Sequence, residues 1–289
     1  MKSFFSNTAA LCYTLGMKHA SCCLLALALA LLPLHAQEVP PLPLVNLPEG
    51  LEIPACACTG SSRWTEDHEL RRCSAFTLCY RESYELAEWV AYELTREELA
   101  KNVRRSNAFR PDPAISTGSA DLEDYRGSGY DRGHLAPSGD MLFDAQANSE
   151  SFLLSNITPQ LAAFNSGIWN ELENQVRRWA ERYGRVYVIT GPVLEKPAGD
   201  YEHIGHNLVA VPEYFYKVVL TPVYRDESDA ESPEDCEKLI ASAFIIPNKK
   251  CRGSFWKYRV SLREAERRTG LDFFPLLDAQ EAAAAFLAE

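Results

Sequence analysis

The stretch GSGYDRGHLAPSGDM, residues 127–141, concentrates the groups from which a chemical site can be built. Arg132 offers a planar fork of donors that suits a phosphate group, and His134 offers a base that titrates near neutral pH. Gly133 lies between them and lets the backbone bend closely past a ligand. The same residues could instead form a polar turn held by an Asp–Arg pair. The neighbouring sequence is therefore needed to distinguish a functional site from a structural turn.

A long amphipathic helix is predicted next along the chain, from about residue 165 to residue 183. Gly184 is placed to end it. Apolar residues recur at three- and four-residue spacing, which gives one face toward a core. These residues are Ile168, Leu172, Val176, Trp179 and Tyr183.

Polar residues lie beside this apolar stripe. At about 100° per residue, Asn165, Glu173 and Arg177 share one flank of the helix. Taken singly, Asn165 reads as a helix cap, and Glu173 with Arg177 reads as a surface ion pair. Together with Asp-Arg-Gly-His, they indicate a functional cluster.

The remaining pattern predicts an α+β fold in one domain, because strands and helices follow in no regular alternation. Three apolar runs indicate buried strands. The buried strands are expected at 186–190, 214–223 and 239–247. The other predicted elements are a strand at 84–94 leading into a helix at 96–104, a loop at 104–115, a short strand at 151–157 and a final helix at 261–270.

Composition limits the possible functions. The 289 residues include 29 Lys+Arg and 40 Asp+Glu, a net charge of −11, and 46% are hydrophobic, which excludes a disordered chain. An acidic chain binds polyanions only if its basic residues are segregated. The sequence predicts such a basic cleft on an acidic body, from Lys101, Arg104, Arg105, Arg110, Arg126, Arg132, Arg177, Arg178 and Arg182.

The N-terminal part suggests export. The apolar run 20–34 is too short to span a bilayer and resembles the core of a signal peptide, so residues 1–36 are expected to be removed. A Pro-rich arm and cysteine-rich segment, 37–82, and a main domain, 83–289, would follow. We therefore expect a secreted or periplasmic protein.

Six cysteines remain after residue 36, and an even number in an exported chain indicates three disulfides. Cys236 and Cys251 are the preferred pair because they flank one apolar segment. The alternative is a zinc site made from residues of the cysteine-rich segment, Cys56, Cys58, Cys73, Cys79 and His68.

Several segments now resemble a known family in the same order: DRGHLAP, then SN-I-T-PQ, then FN-x-x-x-W. The family is that of the DNA/RNA non-specific endonucleases with the ββα-metal fold. The similarity extends over roughly 102–277 and leaves out 37–80 and the acidic loop 225–238. The resemblance implies a central, mostly antiparallel sheet flanked by helices.

The resemblance also implies roles around a metal. His134 would be the general base that takes a proton from water, and Asn156 would orient it. Asn165 would be the direct ligand of Mg²⁺, with Mn²⁺ or another divalent cation as alternatives, and Glu173 would hold a metal-bound water. An ion that keeps most of its hydration shell suits so few protein ligands.

Arginines complete the implied site. Arg132 and Arg105 would hold the phosphate, with Arg104 and Arg110 as rivals for the second role. Arg177 would neutralise charge near the leaving group. Cationic groups placed there stabilise the transition state more than the ground state, because cleavage builds negative charge on the phosphoryl oxygens.

The predicted function is a secreted, Mg²⁺-dependent endonuclease that cleaves DNA and RNA without sequence preference and leaves 5′-phosphates. No membrane partner is expected. Three alternatives stay open: an inactive binding module with the same fold, a phosphodiesterase of small nucleotides, and a disulfide-rich extracellular interaction protein.

Overall fold

The structure, a computed structural model, describes residues 47, 49–55, 64–65, 67–224 and 236–277. The predicted signal peptide, most of the Pro-rich arm and most of the acidic loop lie outside these residues. Within the described part of the chain, no helix has the length and apolar character that crossing a membrane requires.

An eight-stranded antiparallel sheet organises the described chain, in the order β1-β2-β3-β4-β7-β10-β11-β12. The three apolar runs predicted as buried strands are confirmed as β7, β10 and β11, and β4 confirms a fourth. The strands are β1 Trp64–Thr65, β2 His68–Arg72, β3 Thr77–Arg81, β4 Leu86–Thr95, β7 Arg185–Pro192, β10 Tyr214–Tyr224, β11 Cys236–Pro247 and β12 Arg259–Val260.

The sheet is buried on both faces, which explains why its central strands are apolar throughout. Val186 and Val188 of β7 belong to the core on one face, whereas Tyr187 and Ile189 belong to the core on the other. This alternation follows from the two-residue period of a strand. The α+β prediction is confirmed.

Each face of the sheet is covered by one amphipathic helix. Helix α3, Asn170–Tyr183, places Leu172 and Val176 in the first core, together with β7. Helix α4, Leu262–Thr269, contributes to the second core. Ser261 caps α4 by accepting a hydrogen bond from the Glu264 amide at 3.1 Å, so the predicted final helix is confirmed.

The predicted helix of 165–183 forms in two parts. A π-helical turn, Phe164–Trp169, comes first, and Gly167 within it leaves helical dihedral angles at φ −99° and ψ −115°. Helix α3 then continues to Gly184, whose φ of 84° ends it. The 3.6-residue period identified the buried stripe correctly, but it does not reveal a wider turn at a functional end.

Two short strands bring the motif residues next to this helix. β5, Asp131–His134, pairs with β6, Ile157–Gln160, in an antiparallel ladder that sets His134 opposite Ile157. A second small pair joins β8, Glu202–Ile204, to β9, Val209–Val211. The short helix α1, Leu122–Tyr125, precedes β5 in the chain, and the short helix α2, Ala145–Glu150, lies between β5 and β6.

Two local predictions differ from the structure. Residues 96–104 contain only a 3₁₀ turn, Glu97–Leu99, in place of a helix. Residues 151–157 contain a 3₁₀ turn, Leu154–Asn156, before β6 begins. Both segments are too short for periodicity to separate turn from helix or strand.

Strands β2 and β3 lie before residue 83, where the sequence analysis placed a cysteine-rich segment, and they pair with the main sheet through β4. The N-terminal segment also reaches the C-terminal one. Ala55 and Asp272 form an antiparallel bridge with N–O distances of 2.9 and 3.0 Å.

The predicted disulfide between Cys236 and Cys251 is wrong, because Cys251 carries a free thiol. Cys73 is likewise free, and the described residues contain no disulfide. Burial raises the pKa of the Cys73 thiol to about 12, which keeps it protonated.

Candidate active site

All of the predicted site residues except Asn156 line one cavity of about 870 Å³ beside strand β5 and helix α3. Five basic and two acidic side chains line it, so the predicted basic cleft forms locally, from about half of the basic residues proposed for it. The charged residues of the wall are Lys101, Arg105, Arg132, Arg177, Arg178, Glu173 and Glu181, and the same wall includes His134 and Asn165.

His134 lies deep in this wall and is 8% exposed. Two aromatic rings fix its imidazole: Phe152 meets it edge-on at 4.9 Å between centroids, and Phe109 lies at 5.4 Å. Its Nε2 is buried and has no hydrogen-bond partner among the described residues. Burial, with Arg105 and Arg132 nearby, lowers the pKa of His134 to about 3, so the ring is neutral.

Asn156 is fully buried and holds the backbone that follows His134. Its side-chain oxygen accepts from the Ala136 amide at 2.9 Å, and its Nδ2 donates to the carbonyls of Ala136 and Ser151 at 3.0 and 2.9 Å. These bonds involve no atom of the imidazole. Any orientation of His134 by Asn156 therefore works through the main chain.

Arg105, and neither Arg104 nor Arg110, reaches the cavity. It bonds Ser138 Oγ and Asn107 Oδ1, and its guanidinium lies 4.9 Å from the Phe152 ring centroid. Arg110 instead donates to the Ser149 carbonyl of helix α2 at 2.9 Å.

Arg132 is exposed, and its guanidinium stacks over Phe109 at 4.3 Å. Arg132 also lines the cavity, and stacking on a ring leaves the N–H donors of a guanidinium available to a ligand. Gly133, next to it, serves packing more than ligand access: a Cβ there would lie 2.1 Å from the Gln160 side chain.

Arg177 is anchored by a residue that the sequence analysis missed. Asp140, fully buried, accepts from Arg177 Nε at 2.6 Å and from the Tyr92 hydroxyl at 2.8 Å. Gly139 makes room for the guanidinium, which would lie 2.8 Å from a Cβ at that position. Asp140 lies within the opening motif stretch, yet nothing in its spacing points to a partner 37 residues away.

The Glu173 carboxylate is nearly buried and has few polar contacts. Its side chain is 12% exposed and lies 3.7 Å from Arg177 NH2, and it accepts no hydrogen bond from any residue in the described ranges. Burial raises the pKa of Glu173, and Lys217 and Arg177 oppose that rise.

Lys217, on β10, is a fully buried cation beneath this cluster. Its Nζ donates to Thr190 Oγ1 at 3.1 Å and lies 4.8 Å from the Trp169 ring centroid. Burial lowers the pKa of Lys217, while Glu173 and Asp140 raise it. A lone Lys within an apolar run is the sequence signal that was overlooked.

Asn165 and Glu173 suit a hydrated divalent cation. Asn165 donates its Nδ2 to Asp131 Oδ2 at 3.0 Å, while its Oδ1 takes no hydrogen bond in the part of the chain that the structure describes. Both side chains line the cavity. A free amide oxygen beside an underbonded carboxylate is the kind of oxygen set that a hard cation with retained waters prefers.

Another carboxylate and histidine cluster lies outside this cavity, at Asp121, Asp124 and His206. Its buried member, Asp124, already accepts from the Asp121 amide and from Asn207, at 2.8 to 3.0 Å. These bonds give the carboxylate a structural role in capping α1.

Comparisons with known proteins identify relatives of this chain. A family model described as DNA/RNA non-specific endonuclease matches residues 59–280. Mitochondrial nuclease EXOG of Mus musculus is 38% identical over 221 residues, which cover 73% of this chain. The chain spans only 58% of that relative's length.

Two further relatives extend the comparison. Mitochondrial endonuclease G of Homo sapiens is 32% identical, with 72% of this chain and 70% of the relative covered. Nuclease C1 of Cunninghamella echinulata var. echinulata is 34% identical, with coverages of 71% and 82%.

A solved structure is also similar: the crystal structure of the EndoG/EndoGI complex, described as a mechanism of EndoG inhibition. It aligns with a TM-score of 0.64 and 34% identity, covering 73% of this chain and 88% of that one. The expected ββα-metal nuclease fold is confirmed.

These relatives correct the predicted location. Nuclease EXOG and endonuclease G are named as mitochondrial, and so is the similar nuclease of Saccharomyces cerevisiae. The prediction of a secreted or periplasmic protein is therefore wrong.

Proposed function

This chain belongs to the DNA/RNA non-specific endonuclease family, and we propose that it is a divalent-metal-dependent endonuclease that hydrolyses phosphodiester bonds in DNA and RNA. The observation that carries the proposal is the meeting of His134, Asn165, Glu173 and three arginines in one cavity. The arginines are Arg105, Arg132 and Arg177.

Substrate binding in this proposal begins with the arginines. Arg132 and Arg105 hold the non-bridging oxygens of the scissile phosphate, since both are fixed by stacking on Phe109 and Phe152 before substrate arrives. Contacts to phosphate and sugar alone explain a lack of sequence preference.

His134 is the proposed general base. Because Nε2 is enclosed, Nδ1 takes the proton of the attacking water. The low pKa of His134 keeps the ring unprotonated at neutral pH, as a general base requires. Asn156 is a positioning residue in this scheme.

Asn165 and Glu173 would hold the cation, for which Mg²⁺ is proposed and Mn²⁺ is the alternative. When bound, such an ion stabilises charge on the departing 3′-oxygen, so that the products carry 5′-phosphates. Arg177, held by Asp140 and near Glu173, offsets charge on the same side.

The proposed endonuclease activity is tested by digesting a circular plasmid and a structured RNA with Mg²⁺ or with EDTA. We expect cleavage of both, loss of cleavage in EDTA, and a loss of several orders of magnitude in His134→Ala. Asn165→Ala should shift the Mg²⁺ titration to higher concentration. A folded wild-type protein that cleaves neither substrate in any divalent metal would refute the proposal.

A further inference from the structure

A second cavity, about 500 Å³, adjoins the candidate active site and shares Arg132 and Asn165 with it. Half of the six other residues in its wall are aromatic: Phe109, Tyr125 and Tyr130. We call it the aromatic cavity. It is continuous with the place where the scissile phosphate would lie, because Arg132 belongs to both walls.

The aromatic cavity has the chemistry of a platform for flat rings. Leu122 opens onto it with 39% exposure, and Arg126, whose side chain is 75% exposed and pairs with Glu123 at 2.8 Å, lies at its edge. Proteins bind unpaired nucleotides with aromatic side chains and arginine. The bases stack on these groups whatever their identity, because every base has a π face.

The rings of this cavity are held in place without substrate. The Tyr130 hydroxyl donates to Glu202 Oε2 at 3.1 Å, and the Tyr125 hydroxyl donates to Ile157 O at 3.3 Å. The acidic member of the wall, Asp131, is engaged by Asn165 Nδ2 at 3.0 Å, which reduces its repulsion of an anionic strand. A preordered surface loses little conformational entropy on binding.

We propose that the aromatic cavity receives the base of a nucleotide adjoining the cleaved phosphodiester, turned out from its neighbours. The proposal rests on the proposed endonuclease function and specifies its substrate. A base in a duplex must first leave its stack, which costs free energy that an unpaired strand does not need. The enzyme should therefore cleave single-stranded or distorted nucleic acid in preference to regular duplex.

The test uses an end-labelled single strand that contains one abasic nucleotide, compared with the same strand intact. In the wild type, cleavage at the linkages flanking the abasic position should fall about tenfold, because one stacked base is lost. In Tyr130→Ala the intact strand should be cut more slowly, and the abasic penalty should nearly disappear. Tyr130→Phe keeps the ring and should keep the penalty.

Leu122→Ala provides a second variant if Tyr130→Ala fails to fold, with Leu276→Ala, at another exposed leucine that lines neither cavity, as its control. Leu122→Ala should reduce the abasic penalty and Leu276→Ala should not. An unchanged penalty in folded Tyr130→Ala and Leu122→Ala, or no penalty in a wild type that cuts the strand normally elsewhere, would overturn the proposal. Wild type that cuts no strand at all would instead count against the endonuclease function.

Discussion

Burial against two aromatic rings, followed by the charges of Arg105 and Arg132, lowers the pKa of His134, and no described residue forms a hydrogen bond to its Nε2. The sequence predicted a base near its ordinary pKa, because sequence alone shows neither the depth of burial nor the spatial neighbours Arg105 and Phe152. Those neighbours come from other segments of the chain, so only the fold brings them to the ring.

This burial predicts how stability varies with pH in the metal-free protein. Below pH 6.5 the unfolded chain protonates His134, whereas the folded protein does not until pH falls to about 3. The free energy of unfolding should therefore decrease as pH falls through this window, by at most about 1.4 kcal/mol per pH unit from this residue. Urea titrations at pH 7.5, 6 and 5 should show this slope in wild type and a flatter one in His134→Gln. Parallel curves would contradict the assignment.

Asp140 should control the position of Arg177. Asp140→Asn replaces a charged acceptor of a 2.6 Å bond with a neutral amide, and bonds to charged groups contribute about 1.5–3 kcal/mol. Single-turnover cleavage should slow by about 10- to 100-fold. Asp144→Asn, which changes a carboxylate that caps α2, is the matched control and should leave the rate near wild type. Equal rates for Asp140→Asn and wild type would exclude this positioning role.

At the scale of elements, sequence pattern predicted those that bury a regular face. Strands β7, β10 and β11 are continuous apolar runs because both faces of the sheet are buried, and helix α3 carries an apolar stripe toward one core. Helix α4 was predicted from its cap Ser261. The pattern was uninformative where contacts between distant segments decide the conformation, as in the π-helical turn before α3 and the pairing of β5 with β6. Asn165 lies on that turn, so the regular helical spacing that grouped it with Glu173 and Arg177 does not describe its conformation.

The β5–β6 ladder should be intolerant of a side chain at position 133. A Cβ there would meet Gln160 at 2.1 Å, so Gly133→Ala should destabilise the protein by about 1–3 kcal/mol through overpacking. Urea denaturation would measure this loss. Adding Gln160→Ala should recover part of it, while Gly199→Ala, where a Cβ meets nothing within 4 Å, should be nearly neutral. A neutral Gly133→Ala would show that Gln160 moves freely.

The stability of the contact between β10 and α3 should depend on the balance of its buried charges. Lys217→Met leaves Glu173 and Asp140 facing Arg177 alone, and an uncompensated buried charge costs about 3–5 kcal/mol. In a double-mutant cycle, Glu173→Gln should be less harmful in the Lys217→Met background than in wild type. Strict additivity of the two changes would mean that the residues are not coupled.

At the scale of the whole molecule, an acidic chain presents a locally basic cavity. If three arginines contact phosphate, kcat/KM on a single strand should fall by roughly 20-fold between 50 and 200 mM salt. The free energy of unfolding, measured over the same range, is the control and should change little. Cleavage that is independent of salt would argue against phosphate binding by this cavity.

The bridge between Ala55 and Asp272 has a topological consequence. Because the two segments run antiparallel, the chain before residue 55 and the chain after residue 272 leave the bridge on the same side, and Leu51 and Phe273 pack in the core that α4 covers. Helix α3, which lines the candidate active site, covers the other core. Residues 55–272 therefore form an almost closed loop of chain, and its seam at the bridge lies on the side of the sheet opposite helix α3. A circular permutant that joins this seam and reopens the chain at the exposed turn near Gly199 would keep every cavity residue in place.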